Sequence, residues 1–117
     1  MLLTNFGTLA DENSELRHTV LRLQDWARLH SDWSVLDPRV VSRDLRDVDP
    51  FLLSAVFLEL VRKGLYKCVY MVETPSGVLA DGEYDDPRSI PDLVPDGFYN
   101  YFPTAEAEIV PVFKPTK

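Results

Sequence analysis

Residues 37–64 read DPRVVSRDLRDVDPFLLSAVFLELVRKG, and they hold two helix starts, one corner and one helix stop. Asp37-Pro38 and Asp49-Pro50 each set a capping carboxylate before a proline. At the first helical position the N–H that proline lacks is one the helix leaves unpaired anyway. The spacing predicts a helix over about Pro38–Leu45, with Val41 and Leu45 one turn apart on an inner face. It predicts another over about Pro50–Lys63, closed by Gly64 as a left-handed cap. Only RDVD lies between them, the length of a helix-turn-helix corner.

Upstream, DENSELRHTVLRLQDWARLHSDW (11–33) reads as one long amphipathic helix. Leu16, Val20, Leu23 and Ala27 recur at helical spacing, and Trp26 and Leu29 widen that face. Asp11 or Ser14 is the expected cap, with acidic residues in the first turn. Arg17, Arg22 and Arg28 fall mostly on the polar side. Residues 1–10 form an arm whose Leu2, Leu3, Phe6 and Leu9 either pack across the domain or grip a second subunit.

Downstream, LYKCVYMVE (65–73) is rich in β-branched and aromatic residues, TPSG (74–77) supplies turn chemistry, and VLADGEY (78–84) is expected to return as the paired strand. Three helices followed by a hairpin define an α+β winged-helix pattern over residues 11–84. Residues 85–117 contain prolines at 87, 91, 95, 103, 111 and 115, which forbid a long helix or a central strand. Ile90, Leu93, Val94, Phe98, Tyr99, Tyr101 and Phe102 are too apolar for a solvated tail. This segment reads as an extended proline-rich strap over the core, with the aromatic cluster FYNYF packed inward. Its end, AEIVPVFK, is expected as an edge strand on the wing sheet, where Pro111 is tolerated.

A chain of 117 residues with 45% hydrophobic content fits one domain and excludes general disorder. The net charge is -7, so a polyanion is repelled unless basic residues cluster. Up to Gly64 there are 10 acidic and 8 basic residues, whereas from Leu65 onward there are 9 and 4, so the second half carries most of the excess. Cys68 is the only cysteine, which rules out an intrachain disulfide, and its apolar run makes it a buried, inert thiol. MLLTNFGTL has neither a basic start nor an apolar stretch long enough for a leader or a span, so a soluble cytoplasmic protein is expected.

At LEL-VRKGLY (58–66) the chain resembles winged helix-turn-helix domains such as the MarR, ArsR and PadR-like regulators. In those the third helix commonly ends in a leucine, charged residues, glycine and leucine before the first wing strand. Leu60, Arg62, Lys63, Gly64 and Leu65 match that pattern, and VVSRDLRDVDPFLLSAVFLELV resembles the helix-turn-helix itself, which implies Leu45 and Val48 as inner positions of the corner. The resemblance spans roughly residues 14–84 and implies a fold more than a function.

Aligned on Leu60, the third helix has Leu53, Val56, Phe57 and Leu60 as inner positions, and Phe51, Leu52, Ser54, Ala55, Leu58 and Glu59 face outward. A major-groove reader needs Arg, Lys, Asn or Gln there. Ser54 beside an acid is a poor substitute, and the wing tip TPSG carries no cation. For a dimeric DNA-binding regulator, the alternative reading, Arg39, Arg43, Arg46 and Lys67 are the candidate phosphate contacts, although Asp44 and Asp47 lie ready to pair with the arginines. Phe51, Leu52, Ala55 and Leu58 instead form an apolar outer stripe, fit either for a protein partner, including a second copy of this chain, or for cover by the strap or arm.

No catalytic constellation stands out. His18 and His30 have no third ligand at metal spacing, and Gly77, Gly82 and Gly97 form no phosphate loop. Asp81, Glu83, Asp85 and Asp86 lack the calcium-loop pattern. A nucleic-acid mimic is a further reading, for which the negative charge looks too modest and too scattered along the chain. The sequence therefore points to a non-enzymatic adaptor or regulatory module without cofactor, metal or membrane partner.

Overall fold

The computed structural model describes residues 2, 6–95 and 100–116. The elements are α1 (Gly7–Glu12), α2 (Arg17–Leu29), α3 (Pro38–Asp44), α4 (Pro50–Arg62), β1 (Tyr66–Glu73), β2 (Leu93–Pro95), β3 (Tyr101–Pro103) and β4 (Glu108–Pro115). The fold is α+β, with β1 paired to β4 and β2 to β3 in two small antiparallel sheets. Two compact units divide the chain: Met1–Lys67 with Phe113–Lys117, and Cys68–Val112.

In the first unit both Asp-Pro starts cap as their chemistry requires. The Asp37 carboxylate accepts the Arg39 N–H at 3.0 Å, and that of Asp49 accepts the Phe51 N–H at 2.8 Å. Between α3 and α4 the corner buries Leu45 and Val48. Gly64 takes φ 73°, and the following Leu65 N–H returns to the Leu60 carbonyl at 3.0 Å. Leu53, Val56, Phe57 and Leu60 are all buried, against Val20, Leu23, Trp26 and Ala27 of α2 in one cluster.

The long first helix is broken in two. α2 begins at Arg17 with no side-chain cap and no acid in its first turn, so neither Asp11 nor Ser14 plays the expected role. Asp11 instead pairs with Arg17 at 3.3 Å. The reason lies in the arm: α1 buries Leu9 and Ala10, and the chain must turn after it to keep Val20 and Leu23 inside. Phe6, 1% exposed, donates its N–H to Gln24 Oε1 at 2.9 Å and meets the Tyr66 ring edge-on. Leu2, Phe6 and Leu9 are thus packed within their own unit, while Leu3 lies outside the described residues. Leu29 is 81% exposed, contrary to expectation, because it lies two full turns beyond Arg22 and shares its polar side.

The carboxyl end returns to this unit. Leu36 and Phe113 exchange two backbone hydrogen bonds, at 2.6 and 2.9 Å, and the Phe113 ring stacks on Phe57 with centroids 4.7 Å apart. Thr116 adds its N–H to the Leu65 carbonyl and its hydroxyl to the Gly64 carbonyl.

In the second unit, residues 74–77 form the expected turn, with Thr74 N–H bonded to the Val78 carbonyl at 2.7 Å and Gly77 at φ 88°. The return over 78–84 is not a strand. It touches β1 through isolated bridges, Glu73 with Leu79 and Tyr70 with Tyr84. Between them the Tyr84 hydroxyl folds over Gly82, where a Cβ would meet it at 2.6 Å, and the ladder is interrupted. The regular partner of β1 is β4, with Pro111 exposed within it.

Residues 87–106 hold two 3-10 turns and the β2–β3 hairpin, in register Leu93 to Pro103, Val94 to Phe102 and Pro95 to Tyr101. Val94 and Phe102 are buried with Val72 and Ala80, and Tyr84, Ile90 and Ala107 pack on that cluster. The aromatic cluster does not bury as a block: Phe102 is inside, but Tyr101 is 67% exposed, since neighbours on a strand face opposite ways. Phe98 and Tyr99 lie outside the described residues.

Candidate protein-docking face

Helix α4 presents two apolar faces. With Leu53, Val56, Phe57 and Leu60 turned in, helical geometry sends Phe51 and Leu58 out, at 86% and 68% exposed. Leu52 and Val61 are also exposed, and Ala55 is half-buried. Phe51, Ser54, Leu58 and Val61 follow one another at i, i+3, i+7 and i+10, so they share a stripe. Val61 is the residue that sequence reasoning missed; its spacing from Leu58 was the available signal. Leu52 and Ala55 wall an open cleft of about 460 Å³ whose other side is the turn from Glu12 to Leu16.

Charged neighbours at the carboxyl end of the stripe are paired. The Glu59 carboxylate takes the Arg62 guanidinium at 2.7 Å, which holds its carboxyl below the usual range and raises Arg62. Lys63 pairs with Glu12. At the other end the Asp49 carboxylate caps the helix beside Phe51.

The four candidate phosphate contacts are differently placed. Arg39 is held by Asp37 at 3.2 Å and Arg43 by Asp44 at 3.4 Å, and these two are exposed as Arg46 and Lys67 are. Asp47 takes Arg22 rather than the arginines around α3, through two bonds of 3.0 Å, and His18 stands 3.7 Å away. The Arg22 hydrogen bond is the main cause of the lowered Asp47 pKa, and Arg22 is raised in turn.

Asp44 has a second task. It accepts the indole N–H of buried Trp26 at 2.9 Å, and this bond is the main cause that lowers its pKa. His30 stacks on Trp26 at 4.0 Å, and Trp33 meets both rings edge-on. Asp44→Ala leaves a buried donor unpaired and is expected to lower the urea midpoint; Asp44→Asn keeps an acceptor oxygen and restores part of it. Because folding depresses the Asp44 and Asp47 pKa values, their contribution is complete above the unfolded value of about 3.9. It is lost as pH falls through the folded values. The acid limb of a stability–pH curve should accordingly be shallower in Asp44→Asn, and an unchanged limb would mean that the pairing contributes nothing.

Other candidate groups are placed without converging. Cys68 is half-buried rather than buried, with burial raising its thiol pKa. Asp86 caps a 3-10 turn and pairs with Arg88 at 2.9 Å. Among the described residues no group of three His, Cys, Asp or Glu is arranged to hold a metal ion, and no helix is long and apolar enough to cross a membrane. Comparison with family models, with curated proteins and with solved structures finds no match for this chain.

Proposed function

We propose that the chain is a non-catalytic interaction module on a winged-helix frame, an adaptor or regulatory subunit that holds a protein through the outer face of α4. The element order supports the frame. Helices α2, α3 and α4 lead into β1, and Leu36, between α2 and α3, pairs with the strand β4 that also pairs with β1. On this reading the return strand is β4, and residues 74–107 are an enlarged wing.

The observation that carries the functional reading is the exposure of Phe51 and Leu58 where a DNA reader would display cations. Exposed contiguous apolar surface commonly marks a contact with another protein. Affinity capture from the source cell with wild type and Phe51→Glu in parallel tests it. A partner recovered by the first and lost by the second, with an unchanged circular dichroism spectrum, is the expected result. Sedimentation of the purified chain reports whether that partner is a second copy. A fluorescence titration with duplex DNA at low salt addresses the regulator alternative: binding that weakens steeply with salt and depends on Arg46 and Lys67 would replace the proposal.

A further inference from the structure

The second unit has a sheet face of its own that no other described residue covers. In the β2–β3 hairpin Val94 and Phe102 point into the core, so Leu93, Pro95, Tyr101 and Pro103 all point the other way. All four are exposed, with Leu93 at 55% and Tyr101 at 67%. They form two cross-strand pairs, Leu93 with Pro103 and Pro95 with Tyr101. A proline in each pair stiffens the face and costs little entropy on binding.

Charge selects what such a face would hold. Residues 68–112 contain nine Asp and Glu and one cation, Arg88, a net charge of -8. The first unit contains ten acidic and eleven basic residues, a net charge of +1. The chain's net negative charge thus belongs to one 45-residue unit whose own cation is held by Asp86. At the end of the hairpin that carries Leu93 and Pro103, Thr104 donates its N–H to the Asp92 carbonyl at 2.8 Å and its hydroxyl to that of Pro91. This tie brings the exposed Asp92 and Glu106 to that same end. Charge alone would mark no site; here it adjoins a stiff apolar surface.

We infer that the outer face of the β2–β3 hairpin docks a lysine- or arginine-rich protein segment that also carries apolar side chains. Its cations meet Asp92 and Glu106, and its apolar groups lie on Leu93 and Tyr101. Duplex DNA and anionic lipid are repelled by this unit, and so is a second copy of it. This surface is independent of the α4 face, and the two succeed or fail separately.

The test uses the full chain and a short fluorescein-labelled peptide of alternating lysine and leucine, followed by anisotropy. Lysine–serine and glutamate–leucine peptides serve as probes of each component. The lysine–leucine peptide is expected to bind, the lysine–serine peptide about tenfold more weakly, and the glutamate–leucine peptide not at all. Tyr101→Ser, Leu93→Ser and the double variant Asp92→Asn/Glu106→Gln should each weaken binding about tenfold, and added salt should weaken it in wild type. Phe51→Glu should leave it unchanged. Equal binding of the lysine–serine peptide, indifference to Tyr101→Ser, or loss in Phe51→Glu would overturn the assignment. So would a self-associated chain that Leu93→Ser converts to monomer.

Discussion

A chain ending at Val112 is expected to lose the cooperative unfolding transition of its helical unit. The five residues removed are few, but they belong to that unit. Phe113 contributes the ring stacked on Phe57 and the two backbone bonds with Leu36, and Thr116 closes the segment on Gly64 and Leu65. Each hydrogen bond is worth about 0.5–1.5 kcal/mol, and the aromatic pair adds roughly 0.5–1.5 kcal/mol to the burial of the ring. The loss is therefore about 5 kcal/mol, against a total of roughly 5–15 kcal/mol for an ordinary domain. Buried Leu36 would also keep an unpaired N–H and carbonyl. Thermal denaturation followed at the helix band checks this: wild type should melt sharply, and the truncated chain should show a broad or absent transition. Phe113→Ala should fall between them. An unshifted melt in the truncated chain would mean that the helices fold without the returning strand.

That dependence was the least legible feature in the sequence, for a physical reason. Turn chemistry is local, so TPSG correctly announces a reversal after Glu73, and 78–84 is the nearest segment able to pair. The pairing that prevails is with β4, beginning at Glu108, and no local rule selects it over the nearer one. The charge pattern was masked in the same way. Lys67, Lys114 and Lys117 lie in the acidic half of the chain but belong to the helical unit, so the -2 and -5 of the two halves become +1 and -8. Features set by adjacent residues were readable. The two Asp-Pro caps, the Gly64 stop and the inner residues of α4 all follow from capping chemistry and helical spacing. Of the candidate stripe, Phe51 and Leu58 stand exposed as the spacing implies, whereas Leu52 and Ala55 border the cleft beside residues 12–16, and Val61 was not included. The break between α1 and α2 did not, since the burial of Phe6 and Leu9 outweighs the amphipathic pattern that runs through residues 11–16.

Phe57 and Leu58 are neighbours in sequence, and their substitution is expected to give opposite phenotypes. Phe57 is 2% exposed and stacked on Phe113, so Phe57→Ala removes most of a ring from a packed cluster. A change of this kind costs about 3–5 kcal/mol, a large share of the total, and should appear as a lower urea midpoint with an unchanged slope. Leu58 is 68% exposed on the far side of the same helix. Leu58→Glu should shift stability by less than about 0.5 kcal/mol. In a complex formed through this face the new carboxylate would be desolvated against apolar groups without a partner, and affinity should fall by about a hundredfold or more. The pair separates folding from binding within one turn of helix, because any loss of complex in Leu58→Glu occurs in a folded chain. If Leu58→Glu instead unfolded the protein, the stripe would belong to the interior. If it stayed folded and bound its partner as wild type does, the contact would lie elsewhere, and the exposed side of α4 would be surface only.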